Sequence, residues 1–186
     1  MIRRAEESDI ERILSVLSCY NFKVLNPVDD SPIDDESEEL ITLYNGASEL
    51  NLDKGFVAEY EGKIVGFSHY KRHEDGKAKT TLLTVMPKYR KHGFGKKLQI
   101  ARMKDAYDNG YEILMTFTEN PKASKWYVKH FGYQVIGTDV CYHRLHFIPL
   151  SNRIIWGVHY GIYGYDKVDV LECDLGEFFM NATSSF

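Results

Sequence analysis

A basic, glycine-containing turn between Pro87 and Leu98 is the segment of this sequence best suited to chemistry. It joins a strand-like stretch to a helix-like one. The first turn of a helix leaves backbone N–H groups unpaired, and together with the helix dipole they attract an anion. Gly93 and Gly95 allow the backbone to approach phosphate oxygens, because no Cβ intervenes. Positive charge comes from Arg90, Lys91, Lys96 and Lys97. This combination favours a pyrophosphate ligand.

Other known phosphate-binding loops fit this turn less well. A Walker A loop needs a glycine five residues before Gly95 and Ser or Thr at position 97, but Arg90 and Lys97 stand there. A dinucleotide-binding fingerprint needs a third glycine where the sequence has Leu98, and it belongs to a first parallel βαβ unit. A solvated basic turn that caps a surface helix is the alternative without a ligand.

The elements before this turn follow from hydrophobic periodicity and turn residues. Residues 2–5 predict a short strand, and Ser8 with Glu11 predicts a capping box that opens a helix. The run from 20 to 39, with seven acids over 29–39, indicates a loop, and residues 40–47 a second short helix. The apolar stripe expected on the first helix consists of Ile10, Ile13, Leu14 and Leu17.

Three antiparallel strands are predicted next, over 56–60, 63–70 and 80–86, because Glu61-Gly62 and the 73–76 segment are turn signals. The helix that follows the basic turn is predicted from Phe94 to Asp108. Its two expected apolar stripes are Phe94, Leu98 and Ala101, and Ile100, Met103 and Tyr107.

The second half of the chain begins with a continuous apolar run over 113–117, typical of a buried parallel strand. Asn120 followed by Pro121 predicts a capped helix that ends near residues 131–132. Strands are expected over 133–147 and 168–175. The aromatic, glycine-rich segment 153–165 and the strand over 168–175 are expected to extend the sheet or to pack beside the functional cleft.

Two groups of residues resemble motifs of the GNAT N-acetyltransferase superfamily. Arg90-x-x-Gly93-x-Gly95, preceded by Leu83-x-Val85-x-Pro87, resembles motif A of that family. Asn120-x-x-Ala123-x-x-x-Tyr127, followed by Phe131-Gly132-Tyr133, resembles motif B. The two motifs occur in the family's order, and the resemblance covers residues 2–147. In one departure, the glycine of the Phe-Gly element falls five residues after Tyr127, where four is commoner in the family.

The resemblance implies an α/β (α+β) GNAT fold, with a mixed, mostly antiparallel central sheet flanked by helices. Its fourth and fifth strands splay apart around acetyl-CoA, the implied co-substrate. Backbone groups of the fourth strand pair with the pantetheine arm, the turn holds the pyrophosphate, and the helix of motif B contacts the pantetheine. The residues implied in acetyl-CoA binding are Leu83, Thr84, Val85, Arg90, Lys91, His92, Gly93, Phe94, Gly95, Lys96, Asn120 and Ser124.

The implied reaction is attack of a neutral amine on the thioester. An N–H of the fourth strand would stabilise the oxyanion, and Tyr127 is the expected general acid for the leaving thiolate. The alternative for Tyr127 is a core tyrosine with a satisfied hydroxyl. No cysteine lies near either motif, which argues against covalent catalysis. The general base stays open, with four candidates: His69, Tyr70, Glu74 and Asp75.

Composition limits the other classes of function. The net charge of −4 argues against nucleic-acid binding. No run approaches the roughly 18 apolar residues of a membrane span. The three cysteines show no disulfide or zinc spacing, so we expect reduced thiols in a cytoplasmic protein. His143-x-x-His146 would point to opposite faces of a strand, so no metal is expected.

The predicted organisation is an acetyltransferase domain over 1–148 and an extension over 149–186 that packs on it, since so short a segment cannot hold its own core. The aromatic tail (Trp156, Tyr160, Tyr163 and Tyr165) leaves a homodimer contact open.

The predicted function is an N-acetyltransferase acting on an amine of a small molecule or peptide. A non-catalytic acyl-CoA-binding module and a nucleotide-phosphate-binding protein are the alternatives. The acceptor and the acyl chain length stay open at this point.

Overall fold

The computed structural model describes residues 1–19, 48–49, 52–73, 75–118, 120–141, 144–150, 153–159 and 166–183. Several predictions lie outside these residues: the acidic run over 29–39, the helix over 40–47, and the side chains of Glu74, His143, Tyr160, Tyr163 and Tyr165.

Ten strands and four α-helices are described in these segments. The strands are β1 (Ile2–Arg4), β2 (Ser48–Glu49), β3 (Gly55–Tyr60), β4 (Lys63–Arg72), β5 (Ala78–Val85), β6 (Ile113–Thr118), β7 (Gln134–Cys141), β8 (Arg144–Leu150), β9 (Arg153–His159) and β10 (Asp166–Asp174). The helices are α1 (Ile10–Ser18), α2 (Phe94–Asp108), α3 (Pro121–Phe131) and α4 (Leu175–Thr183).

A seven-stranded sheet forms the centre of the molecule, in the order β1-β3-β4-β5-β6-β10-β7. Its β5–β6 pair is parallel, and the other neighbours are antiparallel. A separate antiparallel sheet has the order β2-β9-β8. The predicted fold class, a mixed and mostly antiparallel sheet flanked by helices, is therefore confirmed.

Helices cover both faces of the central sheet. Successive residues of a strand point to opposite faces, so neighbouring residues of β4 pack against different helices. Ile64 of β4 packs in the cluster of α1, whereas Val65 packs with α2, α3 and α4. Buried residues of the α1 cluster include Ile10, Ile13, Val16, Leu17 and Phe67. Those of the other cluster include Leu98, Met103, Ala106, Leu114, Phe131 and Leu171.

The structure contradicts the predicted cap at Ser8 and the single strand predicted over 133–147. A 3-10 turn over Glu7–Asp9 leads into α1, and Glu6 caps this turn, with its N–H donating to Asp9 Oδ2 (3.0 Å). Ser8 lies inside the turn, and the N-cap of α1 itself is Asp9. Asp9, three residues after Glu6, supplies the carboxylate of the capping box, so Ser8 and Glu11 do not form it. The strand expected over 133–147 is two strands, β7 and β8, which belong to different sheets.

The second stripe predicted on α2 is also wrong in part. Ile100 is 36% exposed and Tyr107 45% exposed, while Gln99 and Arg102 are fully buried. The polar pair is buried because its side chains find hydrogen-bond partners inside the protein, which a count of apolar residues cannot detect. The strand predicted over 168–175 is confirmed as β10 (Asp166–Asp174), and it lies between β6 and β7.

Candidate functional site

The parallel strands β5 and β6 separate shortly after the point where their pairing begins. Their register pairs are Ala78 with Leu114 and Lys79 with Met115, yet β5 continues to Val85 and β6 to Thr118. Thr80 Oγ1 donates a hydrogen bond to Thr116 Oγ1 (2.5 Å) where the pairing ends. We call the space between Thr80–Val85 and Thr116–Thr118 the cleft.

The backbone N–H and C=O groups of every second residue of β5 point toward the cleft. Met86 N–H donates to Val65 O (2.8 Å), so Met86 faces β4. Since neighbouring residues of a strand direct their backbone groups to opposite edges, Val85 and Leu83 face the cleft. This orientation suits the predicted pairing of Leu83 and Val85 with an amide-containing ligand; the contact itself stays a prediction.

A β-bulge interrupts β5 within the cleft. His69 pairs with Leu82 and Tyr70 with Thr80, so Thr81 is an extra residue without a register partner. His69 Nδ1 lies 2.5 Å from Thr81 Oγ1, and the imidazole stacks on Phe67 with 6.5 Å between the ring centroids. The bulge therefore joins a buried imidazole to the wall of the cleft.

The basic turn lies at the end of β5. A Cβ added to Gly95 would lie 3.9 Å from Val85 Cγ2. Arg90 Nε donates to Val85 O (3.2 Å), and His92 Nδ1 lies 2.8 Å from Arg90 O.

The backbone of this turn is arranged to receive an anion. Lys91 (φ 66°) and Gly93 (φ 81°) have left-handed conformations. The N–H groups of Phe94, Gly95 and Lys96 precede the first helical hydrogen bond, which runs from Lys97 N–H to Gly93 O (3.1 Å). Gly93 is the N-cap and has no side chain to satisfy them, so these donors suit a phosphate.

Tyr127 lies on the inner side of α3 and is 6% exposed. Its Oη accepts a hydrogen bond from Arg102 Nη2 (2.9 Å). Arg102, fully buried, also donates from Nη1 to Leu82 O (2.6 Å) and from Nε to Gln99 Oε1 (2.7 Å). Gln99 Nε2 in turn donates to Tyr133 Oη (3.1 Å), and burial raises the pKa of Tyr133. A connected polar network thus joins β5, α2 and α3.

Sequence reasoning missed Gln99 and Arg102. The only signal was their spacing: they stand three residues apart on the buried side of α2, among Leu98, Met103 and Ala106. Two polar residues on a stripe that otherwise faces the core indicate a buried pair.

The other predicted binding residues lie along α3 and β5. Asn120 Oδ1 accepts from Lys122 N–H (2.9 Å), which confirms the predicted helix cap, and the residue is exposed. Ser124 is buried, one turn before Tyr127 on the same side of α3. Thr84 Oγ1 is buried and has no hydrogen-bond partner among the described residues, so it can receive a polar group of a ligand. The roles of Asn120, Ser124 and Thr84 stay predictions.

The candidate bases differ in availability. Tyr70 Oη donates to Asp105 Oδ2 (2.6 Å), and burial together with this carboxylate raises the pKa of Tyr70. Asp75 accepts from Lys77 N–H (3.0 Å), which lowers the pKa of Asp75 to about 2 and makes it a weak base. His69 lies on β4, and its Nδ1 is 2.5 Å from Thr81 Oγ1 on β5, the strand that lines the cleft.

The cysteine and metal predictions can be compared with the described residues. Burial raises the pKa of the Cys173 thiol to about 12, and Cys19 is exposed. Within the described segments, no group of three or more His, Cys, Asp or Glu side chains is placed to hold a metal ion. None of the described helices has the length and apolar character needed to cross a membrane.

Solved structures with similar folds are acetyltransferases. An N-acetyltransferase from Staphylococcus aureus Mu50 matches at 19% identity and a TM-score of 0.60, over 94% of this chain and 98% of that chain. A Brucella melitensis ribosomal-protein-alanine N-acetyltransferase matches at 18% identity and 0.60, over 94% and 99%. Salmonella typhimurium yncA, solved with its cofactor acetyl-CoA, matches at 16% identity and 0.58, over 94% and 93%.

The sequence comparison gives the family directly. No curated protein matches the chain at a significant level. The model of the acetyltransferase (GNAT) family matches residues 10–133, a range that contains both motifs and the cleft strands. The family assignment confirms the resemblance and agrees with acetyl-CoA as the predicted co-substrate. The chain belongs to the acetyltransferase (GNAT) family.

Proposed function

We propose that this chain is an N-acetyltransferase that transfers an acetyl group from acetyl-CoA to a primary amine of a small molecule or peptide. One observation carries the proposal. The cleft has, at the end of β5, a turn whose N–H groups suit an anion, and it is joined to the buried hydroxyl of Tyr127 through Arg102 and Leu82.

The residues along β5 and the turn suit coenzyme A. The backbone groups of Leu83 on the cleft edge, with those of Val85 beside Arg90, would pair with the amides of the pantetheine arm; Val85 O accepts from Arg90 Nε in the structure, so this bond would have to be exchanged for one to the ligand. The N–H groups of Phe94, Gly95 and Lys96, with the charges of Arg90 and Lys91, would hold the pyrophosphate. Acetyl-CoA supplies an acetyl group activated as a thioester. The fit is chemical, because the strand edge that carries amide groups ends at a turn whose N–H groups suit an anion.

Two residues would move protons in this reaction. Tyr127 donates its hydroxyl proton to the departing sulfur. His69 is our choice for the base that takes the proton from the acceptor amine, because it lies beside Thr81 on the strand that lines the cleft. Tyr70 binds Asp105 and Asp75 binds Lys77. A backbone N–H of β5 near Leu83 would donate to the carbonyl oxygen as it gains charge.

The acceptor belongs to the class of amines, and its size is open. The Brucella melitensis neighbour is named for a protein alanine, which supports a peptide amine as one option. Residues 149–186 are proposed to complete the domain over 1–148, because β10 pairs with β6 beside the cleft. The cytoplasmic location and the homodimer stay predictions.

Product formation with a panel of amines tests the proposal. The folded protein is incubated with acetyl-CoA and with small-molecule and peptide amines, and acetylated product and free CoA are quantified by mass spectrometry. We expect product with at least one class of amine, and Tyr127→Phe should lower its rate by on the order of 10²-fold. Coenzyme A binding without product from any amine would instead favour the non-catalytic acyl-CoA-binding module.

A further inference from the structure

We infer that Arg102 is a positioning residue of the acetyl-transfer site. Its guanidinium orients the hydroxyl of Tyr127 as a hydrogen-bond donor and stabilises negative charge where the sulfur departs. The inference rests on the proposed function. It deepens that proposal, because it assigns a role to a residue outside both sequence motifs.

The position of Arg102 is fixed by three elements. Nη1 binds Leu82 O on β5 (2.6 Å), Nη2 binds Tyr127 Oη on α3 (2.9 Å), and Nε binds Gln99 Oε1 on α2 (2.7 Å). Gln99 is itself held by Tyr133, through Nε2 to Oη (3.1 Å). A side chain bound at three nitrogens to three elements has one orientation, so its charge is preorganised.

Arg102 is also a buried cation that contacts no carboxylate in the described part of the chain. It is fully buried, and none of its partners among the described residues carries a charge: they are an amide, a backbone carbonyl and a phenol. Arginine stays charged in proteins, and burying an unpaired charge destabilises the folded state. Neutral acceptors offset part of this cost. A buried guanidinium with neutral partners is suited to a site where negative charge develops during the reaction, because its charge is then used to stabilise that developing charge.

The hydrogen bond to Tyr127 determines the direction of its proton. A guanidinium has only donors, so Tyr127 Oη must be the acceptor. The single hydroxyl hydrogen of Tyr127 is then directed elsewhere, and in the described part of the chain no residue accepts it. Tyr127 is therefore held as a donor whose proton is available to a ligand.

The proposed step balances in protons and electrons. A bond forms between the amine nitrogen and the acetyl carbon, and the carbon–sulfur bond breaks with its electron pair leaving on sulfur. Tyr127 gives its proton to that sulfur, and the proton of the amine goes to His69. Arg102 stabilises the resulting phenolate until a proton returns to Tyr127 from His69 through solvent.

Binding of coenzyme A and of desulfo-coenzyme A tests the inference without turnover. If Arg102 and Tyr127 favour charge on sulfur, the wild type binds coenzyme A more tightly than desulfo-coenzyme A, by about tenfold. This preference should increase with pH as the thiol ionises. Arg102→Met and Tyr127→Phe should lose the preference and its pH dependence. Lys104→Met is the matched control, since it removes an exposed charge from the same helix.

Three results would overturn the inference: no preference in the wild type, an unchanged preference in Arg102→Met, or no binding of coenzyme A at all. Circular dichroism shows whether Arg102→Met is folded. If it is not, Tyr127→Phe decides, because Arg102 acts through that hydroxyl, and an unchanged preference in Tyr127→Phe contradicts the inference.

Turnover adds a second test that separates the two proposals. We expect Arg102→Met to lower kcat by on the order of 10²-fold with little change in KM for acetyl-CoA. The double variant with Tyr127→Phe should be about as slow as the slower single variant, because the two residues act as one unit. If the loss of kcat in the double variant equalled the product of the two single-variant losses, the inference would be contradicted. A wild type that binds coenzyme A with the thiol preference but acetylates nothing would overturn the proposed function alone.

Discussion

Thr80 Oγ1 and Thr116 Oγ1 lie 2.5 Å apart, one residue beyond the last register pair of β5 and β6. Both side chains are buried, at 8% and 3% exposure. The bond replaces the backbone pairing that the strands give up when they part. It therefore marks the base of the cleft.

Thr116→Val should destabilise the protein by about 1–3 kcal/mol. The variant leaves the Thr80 hydroxyl buried without its partner, which costs the desolvation of that group. Urea unfolding of wild type and variant measures the difference. The double variant Thr80→Val/Thr116→Val should recover part of the loss, because no polar group is then left unpaired. A double variant that is less stable than Thr116→Val would show that the bond does not explain the effect.

Gly93→Ala should weaken coenzyme A binding, because a residue with a Cβ disfavours the φ of 81° and would shift the N–H groups of the turn. Gly62→Ala is the matched control: its φ is 72°, and a Cβ at either glycine meets nothing within 4 Å. Each substitution should cost about 1 kcal/mol of stability. Only Gly93→Ala should raise the Kd, which titration calorimetry measures. Equal effects on affinity would argue against a phosphate at this turn.

His69→Gln should remove the acidic limb from the pH profile of kcat, with a loss of on the order of 10²-fold at neutral pH. Glutamine keeps a polar group near Thr81 Oγ1 but cannot take a proton from the amine. Steady-state rates measured over a range of pH give the profile. Asp75→Asn is the comparison, since Asp75 is already bound to Lys77 and should leave kcat unchanged. A profile for His69→Gln that keeps its acidic limb would exclude His69 as the base.

Asp9→Asn should destabilise the protein at neutral pH by about 1–3 kcal/mol. Asp9 is buried and accepts two hydrogen bonds from Arg3 (2.6 and 2.8 Å), which hold the pKa of the carboxyl below its ordinary value of 3.8. A depressed folded-state pKa contributes stability above pH 3.8 that is lost as the pH falls through the folded value. The difference between variant and wild type in denaturant unfolding should therefore shrink below about pH 4. Asp108→Asn, at an exposed ion pair, should change stability by less than about 1 kcal/mol.

Much of the fold could be predicted because its signals are local. The turn at Glu61-Gly62 and the cap at Asn120 act on neighbouring residues, so the hairpin and α3 appear where the sequence indicates them. The place of β10 between β6 and β7 depends on pairing across long sequence separations. No local pattern contains that information.

The candidate site divides in the same way. Gly93 and Tyr127 occupy positions of the two motifs, so the family resemblance implies them. Arg102 could not be predicted, because its burial depends on acceptors supplied by Leu82 and Tyr127 from other elements. The bulge at Thr81, which joins His69 to the cleft, likewise depends on the register between β4 and β5.

Calorimetric titration of the folded chain with coenzyme A shows whether the turn over residues 90–96 binds a pyrophosphate. We expect saturable binding that weakens with added salt and in Gly93→Ala, because the turn would hold the pyrophosphate through backbone donors and positive charge. Folded protein that takes up no coenzyme A would rule out this role of the turn and, with it, the proposed function.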